Sequence, residues 1–98
     1  NAISLAVSRD EGAIGYIGLA FYERWAGKVK ELGVAKDAKS APVQSTARTV
    51  ADGSYPLFRY LYMVTRGKAS GQAADFLKFC HTADGQAIVE KVGYVSLK

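Results

Sequence analysis

The sequence predicts an α/β domain in which helices pack on a sheet. Two segments have the composition of strands: residues 13–18, weakly alternating and rich in isoleucine and tyrosine, and residues 55–65, dense in tyrosine and leucine with proline only near the start. Segments with a helical spacing of apolar residues lie between and after them. Strands alternating with helices in one small chain are typical of a sheet covered by helices.

The first third of the chain mixes short apolar segments with turns. Residues 2–8 fit the end of a helix or a strand. Within the strand predicted at 13–18, Gly15 is interpreted as a point where a neighbouring element approaches closely. The aromatic residues of 19–25 favour a short helical turn. Residues 28–34 fit either a strand with outward lysines or a surface excursion.

A helix is predicted in the middle of the chain, after a polar loop at residues 35–42. Ser45 is suited to the N-cap of a helix over 46–52, because its hydroxyl can accept a hydrogen bond from a free backbone N–H of the first turn. Val50 and Ala47 would face the core. Gly53 is expected to end this helix, since glycine adopts the left-handed conformation that follows a helix.

Residues 71–81 form an amphipathic pattern that predicts a helix capped by Ser70. Four residues at helical spacing are expected to face inward: Ala73, Phe76, Leu77 and Cys80. Cys80 is therefore interpreted as a small apolar residue of the core, and His81 as an outward residue at the helix end.

The C-terminal part predicts one more helix over residues 85–92, beginning at Thr82 or Asp84. Gly93 is expected to terminate it. A last short extended piece follows at 94–97.

Composition and charge limit the classes of function. The 98 residues suffice for one domain or a piece of one, and no apolar run approaches the length of a membrane-spanning helix. The net charge is +4, but the basic residues are scattered, so no nucleic-acid partner is expected. Because the chain begins at Asn1, we expect a processed product or a fragment of a longer protein.

Catalytic and metal-binding motifs are absent from the sequence, so no enzyme activity, cofactor or metal is expected. Cys80 and His81 are adjacent, and neighbours on a helix point about 100° apart, too far for a nucleophile to bond its base. Two potential ligands also fall short of the four of a structural zinc site.

Four segments carry a family resemblance: "GAIGYI" at 12–17, "VADGSYPLFRYLY" at 50–62, "FLKF" at 76–79 and "GQAIVEKVGYVSL" at 85–97. In this order they resemble the C-terminal part of the phosphate-binding proteins of ABC transporters. The resemblance extends over nearly the whole chain. One departure is Ser96, where the family usually has proline.

The resemblance implies part of a periplasmic-binding-protein-like fold of type II, with a mixed sheet flanked by helices. Residues 1–98 would be the C-terminal segment of such a protein. Residues 1–22 would end its second lobe and cross between lobes, and residues 40–98 would complete the first lobe.

The resemblance also implies a function. The full-length protein would be an extracytoplasmic solute-binding component of an ABC importer, periplasmic or lipid-anchored at the cell surface. It would bind inorganic phosphate between its lobes and deliver it to the permease. Two alternatives are an interaction module with the same fold and a phosphatase-like protein sharing it. Phosphate, sulfate and molybdate are not distinguished.

No phosphate ligand can be carried over from the family, because the characteristic Ser-Gly-Thr loop does not occur in this sequence. Arg59 is the only local candidate, with a structural role such as pairing with a carboxylate as the alternative. Phe58, Tyr60 and Tyr62 are expected to form an exposed apolar patch that could produce a homo-oligomer.

Overall fold

The computed structural model describes residues 1–97. Five helices lie in this part of the chain: α1 (Ala2–Arg9), α2 (Leu19–Tyr22), α3 (Ala47–Ala51), α4 (Gly71–Cys80) and α5 (Ala83–Lys91). No strand forms within residues 1–97, where the only β pairing is two isolated bridges, Ala26 with Val29 and Val34 with Val43. The predicted helices are therefore present, and the mixed sheet is not formed.

The strands predicted at 13–18 and 55–65 are wrong for this structure. Both segments are irregular, and neither pairs with a strand in the described part of the chain. A strand is held by hydrogen bonds to a neighbouring strand, unlike a helix, whose hydrogen bonds are internal. Strand-forming composition therefore does not produce a strand where no partner is available.

Residues 2–8, which fitted either a helix or a strand, belong to α1. The Asn1 side chain accepts hydrogen bonds from the backbone N–H groups of Ile3 at 2.9 Å and Ser4 at 3.4 Å. These bonds satisfy two of the free donors at the helix start. They explain locally why the first residues are helical.

Gly15 lies against α1, as predicted for a close approach. A Cβ placed on Gly15 would lie 2.6 Å from Ile3 Cγ2 and 3.2 Å from Val7 Cγ2. Any larger side chain would therefore displace the helix or the segment. The prediction of close packing at Gly15 is confirmed, although its segment is not a strand.

Residues 29–45 form a surface excursion, which was one of the two alternatives for 28–34. Val34 and Val43 exchange two backbone hydrogen bonds, each of 2.9 Å. At the tip, the carboxylate of Asp37 accepts hydrogen bonds from the Lys39 N–H at 2.9 Å and the Ser40 hydroxyl at 2.8 Å. The excursion is thus hairpin-like, with a single bridged pair.

Helix α3 is present, but its N-cap is Thr46 and not the predicted Ser45. Thr46 Oγ1 accepts from the Thr49 N–H at 3.1 Å, and Thr49 Oγ1 accepts from the Thr46 N–H at 2.9 Å, which is a capping box. Gly53 has a φ of 78°, so it ends the helix as predicted.

Helices α4 and α5 form a contacting pair. Ser70 occupies the N-cap of α4 as predicted, although its side chain makes no capping bond. Thr82 is the N-cap of α5, and its hydroxyl accepts from the Gly85 N–H at 3.2 Å. Gly93 follows α5 with a φ of 91°, which confirms its predicted role.

The inward face predicted for α4 is only partly right. Leu77 and Cys80 are half-buried, whereas Ala73 is exposed and Phe76 is 58% exposed. The sequence predicted helices packed on a sheet, with Phe76 facing inward. Because that sheet is absent from the described part, more than half of the Phe76 side chain stays exposed.

The described chain has no hydrophobic core, since none of its hydrophobic side chains is buried. Its Cα radius of gyration is 16.8 Å, against about 13 Å for a compact domain of this length. The accessible surface is 8381 Å², compared with about 5,400 Å² for a folded protein of 10.5 kDa. The helices are therefore formed, but their apolar faces are largely uncovered.

Candidate functional site

In the described part, a cleft with a volume of about 760 Å³ lies between α2, α3 and the segment after α5. Its polar lining combines hydroxyl groups with both signs of charge: Tyr22, Glu23, Ser45, Thr46, Arg48, Glu90, Tyr94 and Ser96. An arginine beside several hydroxyls is the type of lining that an oxyanion requires. Whether the cleft can hold one depends on which of these donors are free.

The Ser45 side chain already makes a hydrogen bond within the chain. Its hydroxyl donates to Glu31 Oε1 at 2.6 Å, and its backbone N–H donates to the same oxygen at 2.8 Å. Charge-assisted bonds of this kind are stronger than bonds between neutral groups. The Ser45 hydroxyl proton therefore points to Glu31 and is not offered to a ligand.

The hydroxyls of Thr46 and Ser96 are also engaged. Thr46 Oγ1 takes part in the capping box of α3 with Thr49. Ser96 Oγ donates to Glu90 Oε1 on α5. The serine that departs from the family's proline thus ties the C-terminal segment to α5, which proline could not do because it has no hydroxyl.

Arg48 is the cationic residue of the cleft, and it shares the lining with the carboxylates of Glu23 and Glu90. An oxyanion gives up its water only for several aligned donors, and nearby carboxylates repel it. With the serine and threonine hydroxyls committed, Arg48 and the hydroxyls of Tyr22 and Tyr94 are the remaining side-chain donors of the cleft, beside two carboxylates.

Arg59, the ligand candidate from the sequence, lies outside this cleft in an irregular and exposed segment. Its side chain makes no hydrogen bond or ion pair with another described residue. The structure does not bring it together with Arg48 or with the hydroxyls of the cleft. The alternative role of pairing with a carboxylate is not realised in this part of the chain either.

Gln86 is a positioning residue that sequence reasoning missed. Its Nε2 donates to the Cys80 carbonyl at 2.6 Å, and its Oε1 accepts from the Leu97 N–H at 2.6 Å. One amide therefore joins the end of α4 to the segment that forms one wall of the cleft. A glutamine within a helix has no sequence signal for such a bond, because the partner lies eleven residues away.

The described part of the chain shows neither a metal centre nor a membrane-spanning helix. Residues 1–97 contain no cluster of three histidine, cysteine or acidic side chains arranged for a metal ion. His81 is the C-cap of α4, and Cys80 beside it is half-buried. None of the described helices is long and apolar enough to cross a bilayer.

The sequence model of the PBP superfamily domain matches residues 2–84. The chain belongs to the PBP superfamily. This membership supports a periplasmic-binding-protein-like fold, although the described residues form no sheet.

The same chain is similar to staphylococcal proteins named phosphate-binding protein PstS. It is 38% identical to that of Staphylococcus saprophyticus over 99% of this chain, and 35% identical to one from Staphylococcus epidermidis over 98%. The Staphylococcus aureus protein is 34% identical over 98%. The resemblance to phosphate-binding proteins is therefore confirmed.

The chain spans about a third of the length of these relatives: 31% of the Staphylococcus saprophyticus protein and 30% of the other two. No solved structure matches the chain significantly.

Proposed function

We propose that the chain is part of an extracytoplasmic solute-binding protein that binds phosphate between two lobes and delivers it to the permease of an ABC importer. The observation that carries this proposal is the 38% identity to a phosphate-binding protein over 99% of the chain. The relatives are named as binding proteins and not as enzymes, which favours binding without catalysis.

Within such a protein, residues 1–22 would end the second lobe and cross between the lobes, and residues 40–98 would complete the first lobe. Most phosphate ligands would come from the polypeptide outside these 98 residues. The hydrogen bonds that occupy Ser45 and Ser96 support this assignment, since they remove donors from the cleft between α2, α3 and the segment after α5.

Transport requires that the loaded protein be distinguishable from the empty one. Closure of two lobes about a hinge supplies that difference in shape, and the permease would read it. Such a protein acts outside the cytoplasmic membrane, either in a periplasm or anchored by lipid at the cell surface.

A chimera tests the function. Residues 1–98 would replace the aligned part of the Staphylococcus saprophyticus protein, and phosphate binding would be measured by calorimetry at physiological salt, with the parent protein as the control. We expect one phosphate per chimera, with an affinity near that of the parent and little dependence on salt. Sulfate and molybdate titrations would identify the anion.

A chimera with the parent's circular dichroism and no affinity for phosphate would overturn the proposal. Tighter binding of another oxyanion would keep the solute-binding role and replace the ligand.

A further inference from the structure

The excess positive charge of the chain is concentrated in and around the excursion. Residues 24–48 hold six basic and two acidic side chains, a balance of +4, which equals the net charge of all 98 residues. The remaining residues hold seven side chains of each sign. Four exposed lysines carry most of this excess and form the lysine surface: Lys28, Lys30, Lys36 and Lys39.

The first arm of the excursion presents one side to solvent. Lys28, Lys30 and Leu32 are exposed, and residues 29, 31 and 33 between them are half-buried. The Leu32 side chain is 54% exposed. The Lys28 ammonium lies 5.5 Å from the centre of the Trp25 ring, a cation–π contact that favours this position. An apolar side chain therefore lies beside lysines on the exposed side of the arm.

The charges of the lysine surface are not neutralised within the described chain. Apart from the contact of Lys28 with the Trp25 ring, the four lysine side chains make no hydrogen bond or ion pair with another described residue. The two carboxylates of the excursion, Glu31 and Asp37, accept hydrogen bonds from serine hydroxyls and backbone N–H groups instead. Because unpaired lysines are almost never fully buried, this surface would stay exposed in a longer protein as well.

The residue types of the excursion distinguish between anionic partners. Residues 26–45 contain no aromatic side chain on which a nucleic-acid base could stack. They also contain no arginine, whereas protein interfaces are enriched in arginine and aromatic residues and depleted in lysine. Lysine is a point charge on a flexible stem, which suits the diffuse negative charge of lipid headgroups. An exposed leucine among lysines can also enter the headgroup region.

We propose that the lysine surface binds the anionic headgroups of a lipid membrane and so holds the solute-binding protein against the bilayer. The lysines would lie among the headgroups with Leu32 beside them. The remaining residues, whose charges balance, would stay in water. This inference goes beyond phosphate binding, although it relies on the extracytoplasmic location proposed above.

Co-sedimentation with vesicles tests the proposal on the chimera with the Staphylococcus saprophyticus protein, produced without a lipid anchor. The anionic vesicles contain phosphatidylglycerol and phosphatidylcholine in equal parts, and vesicles of phosphatidylcholine alone are the neutral reference. We expect binding to the anionic vesicles only, lost in about 1 M salt, where the Debye length falls to about 3 Å. Replacing the four lysines by glutamine should weaken binding about 100-fold or more, since each lysine near an anionic surface contributes about fivefold.

A matched control has the same change in charge elsewhere in the chain, with glutamine in place of four other exposed basic residues: Arg66, Lys68, Lys78 and Lys91. This variant should bind the anionic vesicles nearly as well as the unchanged chimera. Equal losses in the two variants would overturn the proposal, as would equal binding to anionic and neutral vesicles. Binding to neutral vesicles only when they carry the permease would also overturn it and would assign the lysine surface to an acidic protein.

The isolated chain provides a second measurement if the chimera does not fold. Neutral vesicles then measure the contribution of its uncovered apolar side chains, and the lysine variant should lose only the additional binding to anionic vesicles. No additional binding to anionic vesicles would overturn the proposal here too. Because the assay contains no phosphate, its failure leaves the calorimetric test of phosphate binding unaffected.

Discussion

Glu31 accepts two hydrogen bonds from Ser45, one from the hydroxyl at 2.6 Å and one from the backbone N–H at 2.8 Å. Glu31 lies near the start of the excursion and Ser45 at its end, on either side of the bridged pair of Val34 and Val43. The carboxylate therefore closes the base of a hairpin that otherwise rests on two backbone bonds.

Ser45→Ala should loosen the excursion, because Glu31 keeps only the bond from the backbone N–H. The loss of a bond to a charged group costs about 1.5 kcal/mol or more, which corresponds to at least roughly tenfold faster exchange of the Val34 and Val43 amides. Nuclear magnetic resonance would measure both rates. Ser45→Thr keeps the hydroxyl and serves as the control. Unchanged exchange in Ser45→Ala would mean that the side-chain bond does not hold the hairpin.

Gly85→Ala should weaken the α4–α5 pair, although alanine favours helix over glycine by about 1 kcal/mol. A Cβ on Gly85 would lie 2.2 Å from the Phe79 carbonyl oxygen and 3.0 Å from Cys80 Cα. Both are backbone atoms, so relief requires the helices to separate. We expect a lower thermal midpoint by circular dichroism at 222 nm.

Gly12→Ala, in a turn outside the helix pair, is the control for adding a methyl group, since its Cβ would meet Asp10 Oδ1 at an ordinary 3.4 Å. A higher midpoint for Gly85→Ala would show that helix propensity outweighs the contact.

The tip of the excursion, at Asp37, should become less stable at acid pH. Hydrogen bonds from the Ser40 hydroxyl, and then from the Lys39 N–H, hold the pKa of Asp37 below its ordinary value. Because the folded pKa is depressed, the stabilisation is present above the unfolded pKa of about 3.9 and is lost as the pH falls through the folded value. The carboxyl carbon shift should report this pKa, and Ser40→Ala should raise it. An unchanged pKa in Ser40→Ala would contradict the assigned cause.

The isolated chain should self-associate through its uncovered apolar side chains, including Tyr62 and Val64. Light scattering should show a mass that rises with concentration, and the chimera should remain monomeric. Substituting Tyr62 and Val64 together by lysine should reduce association, whereas Lys36→Ala and Lys39→Ala on the excursion should not. A monomer at high concentration would contradict this expectation.

The isolated chain should bind phosphate no more tightly than about 1 mM, near −4 kcal/mol. Its net charge of +4 attracts anions weakly, and salt screens that attraction over about 8 Å at physiological ionic strength. Calorimetry would measure the affinity. Micromolar binding that resists salt would place a complete site within these 98 residues.

Features that depend on neighbouring residues could be predicted from the sequence. The helices at 71–81 and 85–92, the stop at Gly53 and the stop at Gly93 all follow from caps and spacing within a few residues, because helical hydrogen bonds are local. The family also followed from the sequence, since the order of its segments is preserved along the chain.

Tertiary structure determined the features that depend on residues distant in the sequence. Ser45, predicted as the N-cap, instead donates its hydroxyl to Glu31, fourteen residues earlier in the chain, while Thr46 caps the helix. Gln86 bonds the Cys80 carbonyl and the Leu97 N–H, six and eleven residues away. The strand composition of 55–65 formed no strand in the described part, and Phe76 is 58% exposed. Strands and buried faces need partners distant in sequence, so composition indicates where they can form, and the partner determines whether they do.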